Sequence, residues 1–260
     1  MTDAIRRFAV EKLKIEVYPD SKSAGEAAAR AVVQAIHALM PSNGDLAIVF
    51  AAAASQLPML RALVSTSGLQ WGRVLGFHLD EYVGIGPEHP ASFRHFLREN
   101  LTQHVMMREF YEMDGTSASP EQACIDYAKN LQAANPAIGL LGIGENGHLA
   151  FNDPPEADFS DPLVVKTVHL DDVCKQQQVA EGWFATLDEV PKLAMTLTVP
   201  AVMRMPKLIA SVPGIRKANI MRTTLLAPIS TACPATILRT HPDATVYLDK
   251  DSASALVDVQ

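Results

Sequence analysis

An acidic pair follows one of the apolar segments that the pattern identifies as buried strands. Asp80 and Glu81 come directly after the apolar run 74–79. If the strand continues through both residues, their side chains point to opposite faces, so only one of them can enter a given pocket. A carboxylate held there could act as a general base, although two acids could also do no more than end the strand and cap the next segment.

A glycine-rich segment with a histidine follows the apolar run 137–141. Three glycines lie among residues 142–147, and His148 comes next. Glycines allow sharp turns and a close approach of the backbone to a ligand. The ordinary pKa of histidine suits proton transfer near neutral pH, and Asn146 or Asp153 could fix its tautomer. The simpler alternative is a common glycine turn beside a surface histidine.

A basic turn follows the apolar run 208–212. Gly214, Arg216 and Lys217 stand where a helix is predicted to begin. Free backbone N–H groups at a helix start, together with a cation, form a site for an anion such as a phosphate monoester. The alternative is that both cations are simply solvated.

Apolar runs alternate with segments of helical period along the chain, which predicts an α/β protein with a doubly wound, largely parallel sheet and helices on both faces. The predicted strands are 46–50, 74–79, 137–141, 164–168, 208–212 and 246–248, and the predicted helices are 23–40, 57–64, 92–101, 120–134, 190–203 and 213–225. Ligands of such sheets bind beyond the carboxyl ends of the strands, where the three clusters stand.

Composition predicts one globular domain over residues 1–260. The chain is 48% hydrophobic and 20% charged with a net charge of -7, so we expect neither a nucleic-acid nor a membrane partner. Charges scattered through the first residues argue against a signal peptide, which favours a cytoplasmic protein. The three cysteines lie far apart without paired ligands, so we expect no disulfide and no metal site.

Motifs spread over roughly the whole chain resemble one family, the glucosamine-6-phosphate deaminases, also called isomerases. Their superfamily includes 6-phosphogluconolactonases and ribose-5-phosphate isomerase, and the resemblance implies its Rossmann-like sugar-phosphate isomerase fold. The most specific motif is Gly-His-Leu-Ala-Phe-Asn-Asp-Pro at 147–154. The other matching segments are 77–84, 88–92, 142–146, 190–196, 214–218 and 241–242.

The resemblance implies an enzyme that needs no cofactor and converts an amino-sugar 6-phosphate to fructose-6-phosphate and ammonia. By position Asp80 resembles the base that carries a proton between C2 and C1, and His148 resembles the acid/base that opens the ring. Asn146 and Asp153 resemble its supporting partners. Asp153 is shorter than the usual glutamate by about 1.5 Å, which predicts a broken bond to His148 or an intervening water.

The resemblance also implies a substrate-binding set. Lys217 stands at the family's phosphate-binding lysine, and Gly144 and Gly147 bring the backbone near the ligand. Glu81 is a further binding candidate. The remaining member is Ser55, which we expect to donate to phosphate because alanines at 51–54 replace the usual glycine-rich loop.

The family's phosphate-gripping arginine has no clear counterpart in this sequence. Lys175 is the predicted substitute, as a point charge without a bidentate fork, and Arg239 is a second candidate.

Two other functions fit the same residues. In a 6-phosphogluconolactonase-like hydrolase His148 would activate water, and no C2 proton would move. A sugar-phosphate sensor would keep the pocket without turnover. All three functions predict a small phosphosugar as the partner, and all three allow a homo-oligomer. The sequence does not show which hexosamine epimer binds.

Overall fold

The computed structural model describes residues 2–170, 172–180, 182–257 and 259, and it contains a central sheet of eight strands. These strands are β1 (Arg6–Val10), β2 (Leu13–Tyr18), β3 (Leu46–Phe50), β4 (Val74–His78), β6 (Glu109–Phe110), β7 (Ile138–Leu141), β10 (Lys207–Ser211) and β11 (Ala244–Asp249). Their order across the sheet is β1-β2-β11-β10-β7-β3-β4-β6. Every neighbouring pair is parallel except the edge pair β1 and β2.

Helices cover both faces of this sheet, as the sequence predicted. They are α1 (Ser21–Leu39), α2 (Leu57–Val64), α3 (Phe93–Leu97), α4 (Pro120–Ala134), α5 (Asp172–Ala180), α6 (Val199–Met203) and α7 (Ala218–Leu226). Strand β3 shows the arrangement, because Ile48 packs into the core beneath α1 and α2, while Ala47 and Val49 pack into the core beneath α4, α6 and α7. All five of its residues are buried, which explains its unbroken apolar run.

A second sheet of three antiparallel strands begins where β4 ends. It consists of β5 (Asp80–Tyr82), β8 (Val165–His169) and β9 (Leu193–Leu197), with β9 in the middle. Leu79 joins the two sheets, because its N–H donates to the Phe50 carbonyl at 3.2 Å and its carbonyl accepts from the Leu197 N–H at 2.8 Å. Asp80 therefore lies at the carboxyl end of β4 and at the junction of both sheets.

The second sheet corrects part of the predicted element list. The helix predicted at 190–203 is wrong over β9, which pairs with β5 and β8, and only the short α6 follows it. The strand predicted at 164–168 exists as β8 but belongs to this antiparallel sheet. Pairing with distant strands decides both cases, and it overrides local periodicity. Among the described residues, no helix is long and apolar enough to cross a membrane.

Candidate active site

The carboxyl ends of β3, β4, β7 and β10 open onto one cleft of about 850 Å³, a volume that includes space open to solvent. Parallel strands bring the loops that follow them to the same edge of the sheet, so the three clusters meet there. The cleft is lined by Ala51–Ser55, Leu79, Asp80, Pro90, Ala91, Phe93, Phe96, Gly142, Ile143, Gly144, His148, Ala150, Phe151, Gln178, Trp183 and Lys217.

Asp80 presents a nearly buried carboxyl group to this cleft. The residue is 7% exposed, and its carboxyl oxygens accept no hydrogen bond from the part of the chain that the structure describes. Burial raises the pKa of Asp80 well above its usual range, and the negative charges of Glu81 and Asp153 raise it further. A carboxyl group with a raised pKa suits general acid/base catalysis, because its pKa lies closer to neutral pH than that of an ordinary carboxyl group.

A buried histidine, which the sequence analysis missed, holds the backbone at Asp80. The His78 Nε2 lies 2.8 Å from the Met113 N–H, which must donate to it, and the Nδ1 lies 2.8 Å from the Asp80 carbonyl oxygen. The proton therefore sits on Nδ1, and burial favours this neutral form by lowering the pKa of His78. The sequence offered one sign of this role. Side chains alternate along β4, so His78 and Phe77 point to opposite faces of the strand.

His148 lies on the other side of the cleft and has two polar partners. Its Nδ1 is 2.8 Å from the Asn146 Oδ1 and 2.9 Å from the Asp153 Oδ1, while the Asn146 Nδ2 donates to the Asp153 Oδ1 at 2.7 Å. Asp153 thus contacts His148 directly, and the broken or water-mediated bond expected for the shorter acid is wrong. Burial disfavours the Asp153 carboxylate, but its contacts with His148, Asn146 and the Cys174 thiol leave its pKa lowered. An ionised Asp153 keeps a proton on Nδ1 and leaves the Nε2 lone pair available for proton transfer.

The two candidate glycines have different surroundings. Gly144 lines the cleft directly beneath the His148 imidazole, and a Cβ there would overlap the ring. Gly147 has a φ of +87°, and a Cβ there would lie 2.5 Å from the Cys233 Sγ. Since Gly147 packs against Cys233 and does not line the cleft, its assignment to substrate binding is corrected to a turn position.

Glu81 points away from Asp80 and out of the cleft, as alternation along a strand requires. It is fully buried, and its carboxylate accepts from the Ser92 hydroxyl at 2.7 Å, from the Arg94 Nε at 3.0 Å and from three backbone N–H groups. The assignment of Glu81 to substrate binding is therefore corrected. Its paired charge connects β5 to the start of α3.

Of the two cations in the basic turn, Lys217 lines the cleft. The Arg216 Nε lies 2.6 Å from the Glu145 Oε1 in the glycine-rich segment, which ties the two loops together. The Gly214 N–H donates to both carboxylate oxygens of Asp249, at 3.0 and 3.1 Å. That N–H is therefore already bonded, and the predicted anion site depends on Lys217.

Neither substitute for the missing arginine reaches the cleft. The Lys175 Nζ lies 3.6 Å from the Asp172 Oδ1, and Lys175 does not line the cleft. Arg239 is buried, and its guanidinium donates to the carbonyls of Leu225 and Ala227 at 2.8 and 2.6 Å, closing the end of α7. Neither residue lines the cleft in this structure, where Lys175 contacts Asp172 of the same helix and Arg239 hydrogen-bonds backbone carbonyls, so the structure supports neither of them as the substitute.

The first loop of the cleft keeps its serine. Ser55 lines the cleft, and its hydroxyl oxygen accepts from the Gln56 Nε2 at 2.9 Å. The alanines 51–54 that precede it adopt no positive φ.

Sequence reasoning missed Gln178 and Trp183, which also line the cleft.

No group of three or more His, Cys, Asp or Glu residues within the described ranges could hold a metal ion.

Comparison with known proteins identifies similar sequences over nearly the whole chain. Residues 19–247 match the family described as glucosamine-6-phosphate isomerases/6-phosphogluconolactonase. A glucosamine-6-phosphate deaminase of Exiguobacterium sibiricum is 37% identical over 182 residues, which cover 70% of each chain. One from an Arthrobacter species is 30% identical over 250 residues, covering 94% of this chain and 93% of the relative.

Solved structures have the same fold. A monomeric glucosamine-6-phosphate deaminase superposes with a TM-score of 0.83 at 25% identity, covering 93% of this chain and 99% of its own. A 6-phosphogluconolactonase of Thermotoga maritima superposes with a TM-score of 0.75 at 18% identity, covering 92% of this chain and 100% of its own.

Proposed function

Because the chain belongs to the family of glucosamine-6-phosphate isomerases and 6-phosphogluconolactonases, we propose that it is a deaminase that converts glucosamine-6-phosphate and water to fructose-6-phosphate and ammonia. One observation carries the choice of reaction. The Asp80 carboxyl, which no described residue hydrogen-bonds, shares a cleft with an imidazole whose Nδ1 is held by an acid. Isomerisation needs a base for a carbon-bound proton and a separate acid/base for the ring, and these two groups can supply both.

In the proposed reaction His148 opens the sugar ring. Its Nε2 accepts the proton of the C1 hydroxyl, and a proton returns to the ring oxygen as the C1–O5 bond breaks. Asp153 stays ionised and stabilises the imidazolium that forms in between. The product of this step is the open-chain amino aldehyde.

Asp80 then moves the carbon-bound proton. The aldehyde acidifies the C2–H bond, so a carboxylate held beside it can remove that proton and deliver it to C1. The C1 oxygen gains a proton and the amino nitrogen loses one, so the product is an imine at C2 beside a C1 hydroxyl. The imine takes up water and releases ammonia, which leaves a ketone. Holding the substrate against one base supplies much of the rate, because the reaction becomes intramolecular.

The decisive assay offers the purified protein two substrates. We expect ammonia and fructose-6-phosphate from glucosamine-6-phosphate, and only background hydrolysis of 6-phosphogluconolactone. Rapid lactone consumption without ammonia would identify the hydrolase instead. Tight phosphosugar binding without any product would identify the sensor.

Lys217→Met is expected to raise the KM for glucosamine-6-phosphate by roughly 10- to 100-fold, with a smaller effect on kcat. Lys217 lines the cleft and its ammonium is proposed to neutralise the phosphate, so its loss removes a charge-assisted contact present in both ground and transition states. Steady-state ammonia release measures the effect.

The matched control is Lys250→Met, because Lys250 is an exposed lysine outside the cleft. Its KM should equal that of the wild type. An unchanged KM in Lys217→Met would remove Lys217 from the phosphate site. The homo-oligomer stays a prediction, which light scattering of the purified protein tests.

A further inference from the structure

Gln178 is a buried polar side chain in the cleft that the proposed mechanism does not use. It lies on α5, is 7% exposed and lines the cleft beside Trp183. Its carboxamide makes no hydrogen bond to the described part of the chain, and its polar atoms are not among those fully enclosed without a partner, so they stay open to the cleft. A polar side chain that is largely removed from water usually has a hydrogen-bond partner. The cleft is the side from which a partner can come.

The other polar side chains of the cleft already have tasks in the proposed reaction. Asp80 serves C1 and C2, His148 serves the ring oxygen and the C1 hydroxyl, and Lys217 serves the phosphate at C6. The Ser55 oxygen accepts from the Gln56 amide, so it has less capacity left for a ligand. The C2 amino group and the C3 and C4 hydroxyls of the sugar are then the polar groups without a partner. The amino group is bonded to the carbon that Asp80 serves, so the C3–C4 diol is the pair left for a side chain elsewhere in the cleft.

The surroundings of Gln178 favour a neutral contact of this kind. The wall that includes Ala91, Phe96 and Trp183 is largely apolar, so a hydroxyl entering it needs a specific partner. Helix α5 brings no cation to the cleft, because Lys175 pairs with Asp172. A carboxamide both donates and accepts, which matches two adjacent hydroxyls.

We infer, on the basis of the proposed function, that Gln178 is a specificity-determining residue that hydrogen-bonds the C3–C4 diol of the amino-sugar phosphate. The side chain then distinguishes hexosamine phosphates by the positions of these hydroxyls. Substrates that lack one of them leave the buried amide unpaired, which is the strongest form of rejection available to a polar site.

The test combines a variant with substrate analogues. Gln178→Leu keeps the approximate volume and removes the amide. We expect kcat/KM for glucosamine-6-phosphate to fall roughly 10- to 100-fold, mostly through KM, as for the loss of one or two hydrogen bonds. With the 3-deoxy or the 4-deoxy analogue, the wild type should already show most of that loss, and Gln178→Leu should add little.

Gln176→Leu is the matched control, because Gln176 is an exposed glutamine on the same helix. It should behave as the wild type with every substrate. Gln178→Asn shortens the amide by one methylene and replaces the leucine variant if that variant does not fold. It should show the same pattern across the analogues at smaller amplitude.

Two results would overturn the inference. One is an unchanged kcat/KM for glucosamine-6-phosphate in Gln178→Leu. The other is an equal loss with the parent and both deoxy sugars, as a purely structural residue would produce. Wild-type turnover reports on the proposed function separately: no ammonia from the wild type refutes that function, whereas an active wild type with an unaffected variant refutes only the role of Gln178.

Discussion

Asp80→Asn is expected to lower kcat for ammonia release by at least about 10³-fold while changing substrate affinity by no more than a few fold. Asparagine has nearly the same shape as aspartate but cannot accept the C2 proton at neutral pH. Because the Asp80 carboxyl group accepts no hydrogen bond from the described residues, the exchange breaks no such contact. Calorimetric titration with an unreactive hexitol 6-phosphate measures the affinity, and loss of C2–H exchange with deuterated water confirms the blocked step.

The pH profile of the wild type examines the same group. Burial and nearby negative charge raise the pKa of Asp80, so its base form is lost at a higher pH than an ordinary carboxylate would lose it. We expect kcat/KM to fall as the pH decreases through this raised pKa. An acid limb near pH 4, the ordinary carboxyl range, would contradict the raised pKa of the base.

Asp126→Asn is the control for Asp80→Asn. Asp126 lies on α4 with its side chain 59% exposed, so the same change of charge should leave kcat unchanged. An active Asp80→Asn enzyme would remove Asp80 from the role of base, whatever its affinity for the hexitol.

His148→Gln is expected to lower kcat by about 10²- to 10³-fold and to change which step limits the rate. Glutamine cannot exchange protons with the ring oxygen, so ring opening becomes slow while Asp80 still works. Substrate deuterated at C2 distinguishes the steps. The isotope effect on kcat should fall towards one in His148→Gln, because the C2–H bond breaks after the limiting step.

The control is His104→Gln. His104 is exposed and distant in sequence from the glycine-rich segment, and its Nε2 contacts the Glu99 carbonyl. It should retain the wild-type rate and isotope effect. A larger isotope effect in His148→Gln than in the wild type would place His148 in the C2 proton transfer and contradict the division of labour proposed here.

The parallel sheet was predictable from sequence because strands buried on both faces carry unbroken apolar runs. The predicted strands at 46–50, 74–79, 137–141, 208–212 and 246–248 all correspond to strands of the central sheet. The antiparallel sheet was less predictable. Its middle strand, β9, pairs with residues 24 or more positions away along the chain, and a short local pattern does not show which distant segment will pair with it.

The sequence by itself determined where the candidate site residues gather, because the loops that follow parallel strands must meet at one edge of the sheet. Asp80, His148 and Lys217 could be named on that basis, with the family resemblance supplying their roles. Only the tertiary structure decided which side chains face the cleft. Glu81 turns to Arg94, Lys175 to Asp172 and Arg239 to the end of α7, while Gln178 faces the cleft. The direction of a polar side chain depends on its nearest partners, and those partners become neighbours only when the chain folds.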